Sequence, residues 1–376
     1  MGRYDVLVIG GGIVGLTAAI ASAGQNARVL IVDAGINAGS NANAGSLHVQ
    51  LQSRFIRLYP DQAPNVEASL PLYLQAVREW ERLDALFGSF DLVRKGGLML
   101  AEGEDQLRFL EMKARREEAR GLSVEILDRR QLDALAPWLG PQIMGAELCR
   151  DEGKLNPLAA NVRLRAEARR LGVEFLSDQV VSLHVDGAVV RAKGQGGQVH
   201  AAKQAVVAAA WGSGPLLKGW GPPVPSRAEP LHMNITEPGE VRINHLIQHA
   251  ERSITLKQFG TGQIVIGGGW AAHDRGNASV PSVLAASMLG NVALAARLVP
   301  SISRLRVLRT WAGMNTTVDG KTVIGRLPAA PNIIVAVPGD AGYTLGPLVG
   351  RAAAEIAAGQ PPSFEIANYG PSRFAA

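Results

Sequence analysis

Three glycines, Gly10, Gly12 and Gly15, separate the apolar run Tyr4–Ile9 from the Ala-rich stretch Ile13–Ala23. Between a strand and a helix, this spacing suits a phosphate. The first glycine permits a tight turn, the second lets backbone approach a pyrophosphate, and the third lets helix and strand pack closely. The helix would open at Ile13 and Val14 with free N–H groups and the positive end of its dipole toward the phosphates. Asp33 follows Gly15 by 18 residues, at the end of a second apolar run, with Ala34 beside it. A carboxylate there suits ribose hydroxyls and argues against a 2′-phosphate, hence against NADP. Strand, glycines, helix, strand and acid together predict a dinucleotide site, and leave FAD and NAD both open.

A second glycine turn lies near the other end. Val335–Val337 reads as a strand, Pro338-Gly339-Asp340-Ala341-Gly342 as the turn, and Tyr343-Thr344-Leu345-Gly346 as a helix start. A helix N-terminus aimed at an isoalloxazine ring would stabilise the negative charge gained on reduction, which favours a flavin. No Ser/His/Asp or paired-carboxylate signature stands out, as expected where a cofactor carries the hard step. The single cysteine, Cys149, excludes an internal disulfide framework and cannot alone hold an iron–sulfur cluster or thiolate zinc. It points to a reducing, cytoplasmic compartment.

The elements that must position these residues can be read along the chain. Tyr4–Ile9, Ile13–Ala23 and Ala27–Val32 form a βαβ unit about 30 residues long. Helices are expected over 66–87, 104–121, 157–171, 282–298 and 345–358, and strands over 93–101, 142–150, 173–183, 204–210 and 332–337. Residues 223–270 read as strand-rich, and Gly194–Gly197 as a hairpin turn. With 376 residues, nearly half apolar, two domains are affordable. The expected fold is α/β: a Rossmann-like, glutathione-reductase-like nucleotide-binding domain from 1–45, 150–220 and 316–376. An inserted α+β domain on a mostly antiparallel sheet would come from 46–149 and 221–315. The net charge of +5 is mild, and the basic patch Lys113–Arg120 alternates with Glu117 and Glu118, so no nucleic-acid footprint appears. No run of 18 apolar residues predicts a membrane span, and the N-terminus reads as strand and turn rather than targeting segment.

Several further segments carry a resemblance. They are Gly39-Ser40-x-x-Asn43-Ala44-Gly45, Lys154-Leu155-Asn156-Pro157, Val206–Trp211, Trp311-Ala312-Gly313 and Thr317-x-Asp319-Gly320-x-x-x-Ile324-Gly325, together with the two glycine turns. With them the chain resembles, over essentially its whole length, the D-amino-acid oxidase family of FAD enzymes. The resemblance implies non-covalently bound FAD, with Ser40, Asn43, Ala44, Gly45 and Leu47 near phosphates and flavin. It places Val180 at the adenine through backbone atoms, and Ala209, Trp211 and Gly313 about the cofactor. Asn43–Gln50, Ile247-Gln248-His249 and Gly267–Trp270 are similar to the flavin β subunits of heteromeric opine oxidases and to D-hydroxyproline dehydrogenase. That likeness implies oxidation of a C–N bond beside a carboxylate. Electrons would pass to an α, and in some assemblies a γ, partner subunit with FMN or an iron–sulfur cluster in or beside it. Membrane contact, if any, would come through such partners.

Many relatives carry Arg-Pro two residues after Trp-x-Gly; Met314-Asn315 stands here, which argues against a simple D-amino-acid oxidase. For hydride transfer from an α-carbon the amine must be neutral and well placed, so positioning dominates. His48, Gln50, Asn315 and Tyr343 are the catalytic candidates, because they flank the flavin-contacting segments. Two carboxylates on an opine call for cationic partners. Arg54, with Arg57, Arg227, Arg242, Arg275 and Arg309 as further choices, and His232, Asn244, His249 and Thr316 are the substrate candidates. Glycine oxidation, D-amino-acid oxidation and a flavin relay without its own substrate remain the alternatives.

Overall fold

The computed structural model describes residues 4–36, 39–276 and 280–375, without the side chains of Arg54 and Leu58. Five parallel strands form the centre of one sheet, in the order Ala330–Val337, Val199–Val207, Tyr4–Ile9, Val29–Asp33, Glu174–Ser177. Val323–Leu327 joins antiparallel at one edge. Val180–Asp186 and Val189–Gly194 extend Val199–Val207 as an antiparallel meander.

These strands read as continuous apolar runs because both faces are covered. Side chains alternate along a strand. Val6, Val8 and Ile31 therefore face the helices Ile13–Ala23, Pro157–Arg170 and Gly342–Ala357. Leu7, Ile9, Leu30 and Val32 face a second core with Val190, Ala192, Leu217 and Val224.

The other large sheet runs Val307–Thr317, Arg227–Pro238, Gln263–Gly267, Thr255–Gln258, Leu246–His249, Gly97–Ala101, Gly145–Cys149, Val124–Asp128. All its pairings are antiparallel except Leu246–His249 beside Gly97–Ala101. Leu98, Leu100, Ile247 and Leu256 pack on Leu294 and Leu298 of the helix Ala285–Leu298. The opposite face carries Met99, Gln248 and Thr255 toward the first sheet. The expected α/β class and mostly antiparallel second sheet are both present.

Local limits differ from expectation at identifiable points. The strand expected over 204–210 runs Val199–Val207; Ala210 has φ +53° and opens a short 3₁₀ turn, so the chain leaves the sheet early. Val307–Thr317, for which the sequence suggested only a motif, is an edge strand paired along most of Arg227–Pro238.

Candidate functional site

A cavity of about 730 Å³ opens between the two sheets, at the carboxyl ends of the parallel strands. Its first wall is the glycine turn. Gly10 has φ +104°, and a Cβ there would lie 2.4 Å from the Ala208 carbonyl oxygen. A Cβ on Gly15 would lie 1.8 Å from the Gly10 carbonyl oxygen, so helix and turn touch backbone to backbone. Gly12 caps Ile13–Ala23 in extended conformation without a side-chain cap. Gly10, Gly12, Ile13 and Val14 line the cavity, while Gly15 stands behind it as a packing position. Asp33 and Ala34 lie alongside, with the Asp33 carboxylate 2.7 Å from where a Gly11 Cβ would be. Val180 lines the same end.

Ser40, Asn43 and Ala44 form the next part of the wall. Ser40 Oγ accepts from the Ile13 N–H at 2.9 Å, tying this segment to the first helix. Asn161 Nδ2 donates to the Ser40 carbonyl at 2.8 Å, and Trp311 Nε1 to the Ala42 carbonyl at 2.9 Å. Asn43 Oδ1 accepts from the Gly45 N–H at 2.7 Å across a turn where Gly45 has φ +80°. Gly45 and the fully buried Leu47 sit behind the wall. Asn156 caps Pro157–Arg170, accepting from the Leu158 and Ala159 N–H groups, which accounts for the Asn-Pro pair locally.

The C-terminal turn closes the cavity. Gly339, Asp340, Gly342, Tyr343 and Thr344 line it, with Ala209, Trp211 and Gly313 nearby, while Leu345 faces the core. No side chain caps the helix Gly342–Ala357, so its N-terminal N–H groups are left to the cavity. Burial, with Glu229 nearby, pushes the Asp340 carboxyl up to about 7. Thr344 Oγ1 accepts from the His48 N–H at 3.1 Å. The Tyr343 hydroxyl is committed to Asn161 Oδ1 (3.0 Å) and the Pro157 carbonyl (3.3 Å), and its ring stacks on Trp80. This gives Tyr343 a packing place and corrects its reading as a catalytic side chain.

The remaining wall brings together His48, Gln50, His232, His249, Asn315 and Thr316. Gln50 is buried, donating to Glu152 Oε2 at 2.7 Å and accepting from Lys113 Nζ at 3.2 Å. Asn315 Nδ2 donates to Glu229 Oε2 at 3.2 Å. Burial lowers the basicity of His232 and brings His249 down to about 4, so both are neutral imidazoles near pH 7. His249 Nδ1 accepts from the Glu251 and Arg252 N–H groups, which fixes its tautomer.

Asn244 is exposed and off the wall, a correction to its substrate reading. The Arg54 side chain lies outside the described residues. Arg57, Arg227, Arg242, Arg275 and Arg309 also stand away from the cavity; Arg57 lies over Phe109 and Arg309 over Trp311. Among the described side chains the only arginine on the wall is Arg252, held 3.1 Å from Glu102. The sequence reading missed it, together with Glu152 and Glu229, because each takes its meaning from partners distant in sequence.

The cradle suits FAD: glycine positions that a Cβ would fill, a helix start at each end of the cavity, the first with its Ile13 N–H held by Ser40 and the second uncapped, and an acid at the end of the second strand. The family model for FAD-dependent oxidoreductases (DAO) matches residues 5–356. The chain belongs to the DAO family of FAD-dependent oxidoreductases. As a member it is an FAD-dependent enzyme acting on amino compounds. It is 26% identical over 336 residues to an opine oxidase subunit of Rhizobium meliloti, covering 85% of this chain and 84% of that protein. It is 26% identical over 370 residues to glycine oxidase of Bacillus licheniformis, covering 96% and 94%. The crystal structure of glycine oxidase from Geobacillus kaustophilus shares its fold, with a TM-score of 0.82 at 22% identity over 99% of each chain. Among the described residues of this DAO-family chain, no helix is long and apolar enough to cross a membrane.

Proposed function

We propose that this chain oxidises the C–N bond of an opine-like secondary-amine dicarboxylate, as the flavin subunit of a heteromeric dehydrogenase. The observation that carries the reading is the placement of cationic charge. Trp311-Ala312-Gly313 is followed by Met314-Asn315, without an arginine, and Arg252, on the hairpin between Leu246–His249 and Thr255–Gln258, supplies the guanidinium among the described side chains of the wall. A bidentate arginine suits one carboxylate of such a substrate. The neutral His232 and His249, with Asn315 and Thr316, suit uncharged polar groups. The likeness to the opine oxidase of Rhizobium meliloti supports the same substrate class.

FAD, when bound, supplies the two-electron acceptor. Gly10, Gly12, the helix start at Ile13–Val14, Asp33, Ser40, Asn43 and the Gly339–Thr344 turn would hold it without a covalent bond. The protein's own work is to orient the α-carbon, to bind the carboxylate at Arg252, and to keep the amine free of its proton. The product imine is split by water to a 2-oxo acid and an amino acid. Onward electron transfer would pass to partner subunits, for which the single buried Cys149 offers no cluster of its own.

Anaerobic mixing of the yellow protein with octopine, nopaline, D-hydroxyproline, glycine and sarcosine tests this. Bleaching by the opines is expected. Bleaching by glycine or D-amino acids alone, with rapid reoxidation by air, would replace the reading with a stand-alone oxidase. A flavin bleached by none of them would mark a relay subunit. Co-purifying chains from the native host would identify the partners.

A further inference from the structure

We propose that His48 and Glu152 form a proton-accepting dyad for the substrate amine, with His48 Nε2 as the base and Glu152 holding the imidazolium through Nδ1. The inference rests on the amine-oxidising reading above and deepens it. The amine of an amino acid or opine, beside a carboxylate, carries a proton at neutral pH, and an ammonium nitrogen has no lone pair to support loss of hydride from the adjacent carbon. A group on the wall must take that proton.

The histidine ring is one-fifth exposed and lines the cavity, and its Nδ1 is buried with no hydrogen-bond partner. Glu152 Oε1 lies 3.8 Å from that nitrogen, on a side chain fully removed from solvent. Four N–H donors face the Glu152 carboxylate: Val49 N (2.9 Å), Gln50 N (3.3 Å), Gln50 Nε2 (2.7 Å) and Gln248 Nε2 (2.7 Å). A donor-only shell suits a carboxylate and fixes its position. It holds one oxygen 3.8 Å from the imidazole Nδ1, longer than a hydrogen bond, a gap that closes when the ring takes a proton.

Other ionisable groups also stand near this wall, some paired with carboxylates and two, Lys257 and Lys154, held by neutral acceptors. Lys113 lies between Glu117 (2.7 Å) and Glu147 (2.8 Å), and burial pushes Glu147 up to about 9, so it keeps its proton. Cys149, beside them on the same strand as Glu147, is pushed up by burial and stays a thiol. Lys257 donates to Ser46 Oγ and Lys154 to the Ile243 carbonyl. Across the cavity stand His249, Arg252 with Glu102, and Glu229 with Asp340. Among the described residues Glu152 is the carboxylate that comes within 4 Å of the His48 ring nitrogens. The proton leaves the ammonium nitrogen, whose N–H electron pair becomes its lone pair, and bonds to His48 Nε2. Charge moves from substrate to imidazole, next to Glu152, and the proton passes to water after product leaves.

The test uses the FAD-loaded protein. Nitrogen-15 nuclear magnetic resonance of the seven histidines, with His48 assigned by its loss in His48→Asn, reads which ring nitrogen carries the proton without substrate. Glu152→Gln is expected to shift the neutral His48 ring from its Nδ1–H form toward its Nε2–H form, because the carboxylate that favours a proton on Nδ1 is gone. An unchanged proton position on His48 overturns the dyad. In anaerobic bleaching by the active amine, His48→Asn is expected to be about 100-fold slower at pH 7, with the deficit closing as pH approaches the pKa of the amine itself. A rate equal to wild type at pH 7, or an equal loss at every pH, overturns the base role. If Glu152→Gln does not fold, Glu152→Asp, which keeps the charge but withdraws it, takes its place with the same direction of shift. Absence of bleaching by every amine is a different failure, that of the proposed function.

Discussion

Thr17 Oγ1 lies 2.1 Å from where a Cβ on Gly350 would stand, so the first and last long helices meet with no room for a methyl group. The Thr17 hydroxyl donates to the Ile13 carbonyl at 2.8 Å, which holds it in that space. Gly346 makes the same approach one turn earlier, with Ile13 Cγ2 at 2.6 Å from its Cβ position. The crossing joins the two glycine turns that frame the cavity.

Gly350→Ala should therefore lower stability by about 1–3 kcal/mol, the usual cost of overpacking a filled contact. Thermal unfolding of the variant beside wild type measures it. Loss of FAD on dilution should accompany the lower melting temperature, because both turns move with their helices.

Asp33→Ala should weaken FAD binding by about 10- to 100-fold, the range expected for losing a hydrogen bond to a charged group. Fluorescence of released FAD reports the dissociation constant. Asp33→Glu should recover part of the loss, since a carboxylate is retained.

Lys257 gives a pH-dependent stability. Burial, with Lys154 nearby, brings its ammonium from 10.5 down to about 7. Between those values the native state binds fewer protons than the unfolded chain, so this lysine's cost to stability is complete below pH 7 and fades as pH rises toward 10.5. Lys257→Met should be more stable than wild type by several kcal/mol at pH 6, and the gap should shrink steadily at pH 8 and pH 10. Denaturant midpoints at the three pH values check the sign.

Arg252→Ala should raise KM for a carboxylate-bearing amine by about 10- to 100-fold, with kcat changed less, if the guanidinium binds substrate and transition state alike. Arg252→Lys should restore only part of the affinity, because a point charge replaces a planar fork. Steady-state kinetics with an artificial acceptor separates the two constants.

What the sequence disclosed followed from local rules. Gly10, Gly12 and Gly15 between an apolar run and an Ala-rich run are readable because turn, helix and strand each constrain residues a few positions apart. The Gly339–Gly342 turn and the Asn156-Pro157 helix start are readable for the same reason. Val307–Thr317 was not, since as an edge strand its Trp-Ala-Gly-Met-Asn-Thr-Thr stretch lacks a clean alternation. Arg252 looked like any turn arginine; Glu102, 150 positions earlier, is what gives it an address on the wall. Tyr343 sits in the right motif, but Trp80 and Asn161 turn its hydroxyl inward. Glu152 gives no local sign at all, because its donors Gln50 and Gln248 come from two other segments.

The central parallel sheet interleaves strands from the beginning, middle and end of the polypeptide, and Gly342–Ala357 seals it against Ile13–Ala23. During synthesis the glycine loop is made first, yet Ala330–Val337, two strands away beyond Val199–Val207, and that sealing helix emerge last. A cavity walled by both glycine turns is therefore complete only once Gly342–Ala357 has left the ribosome.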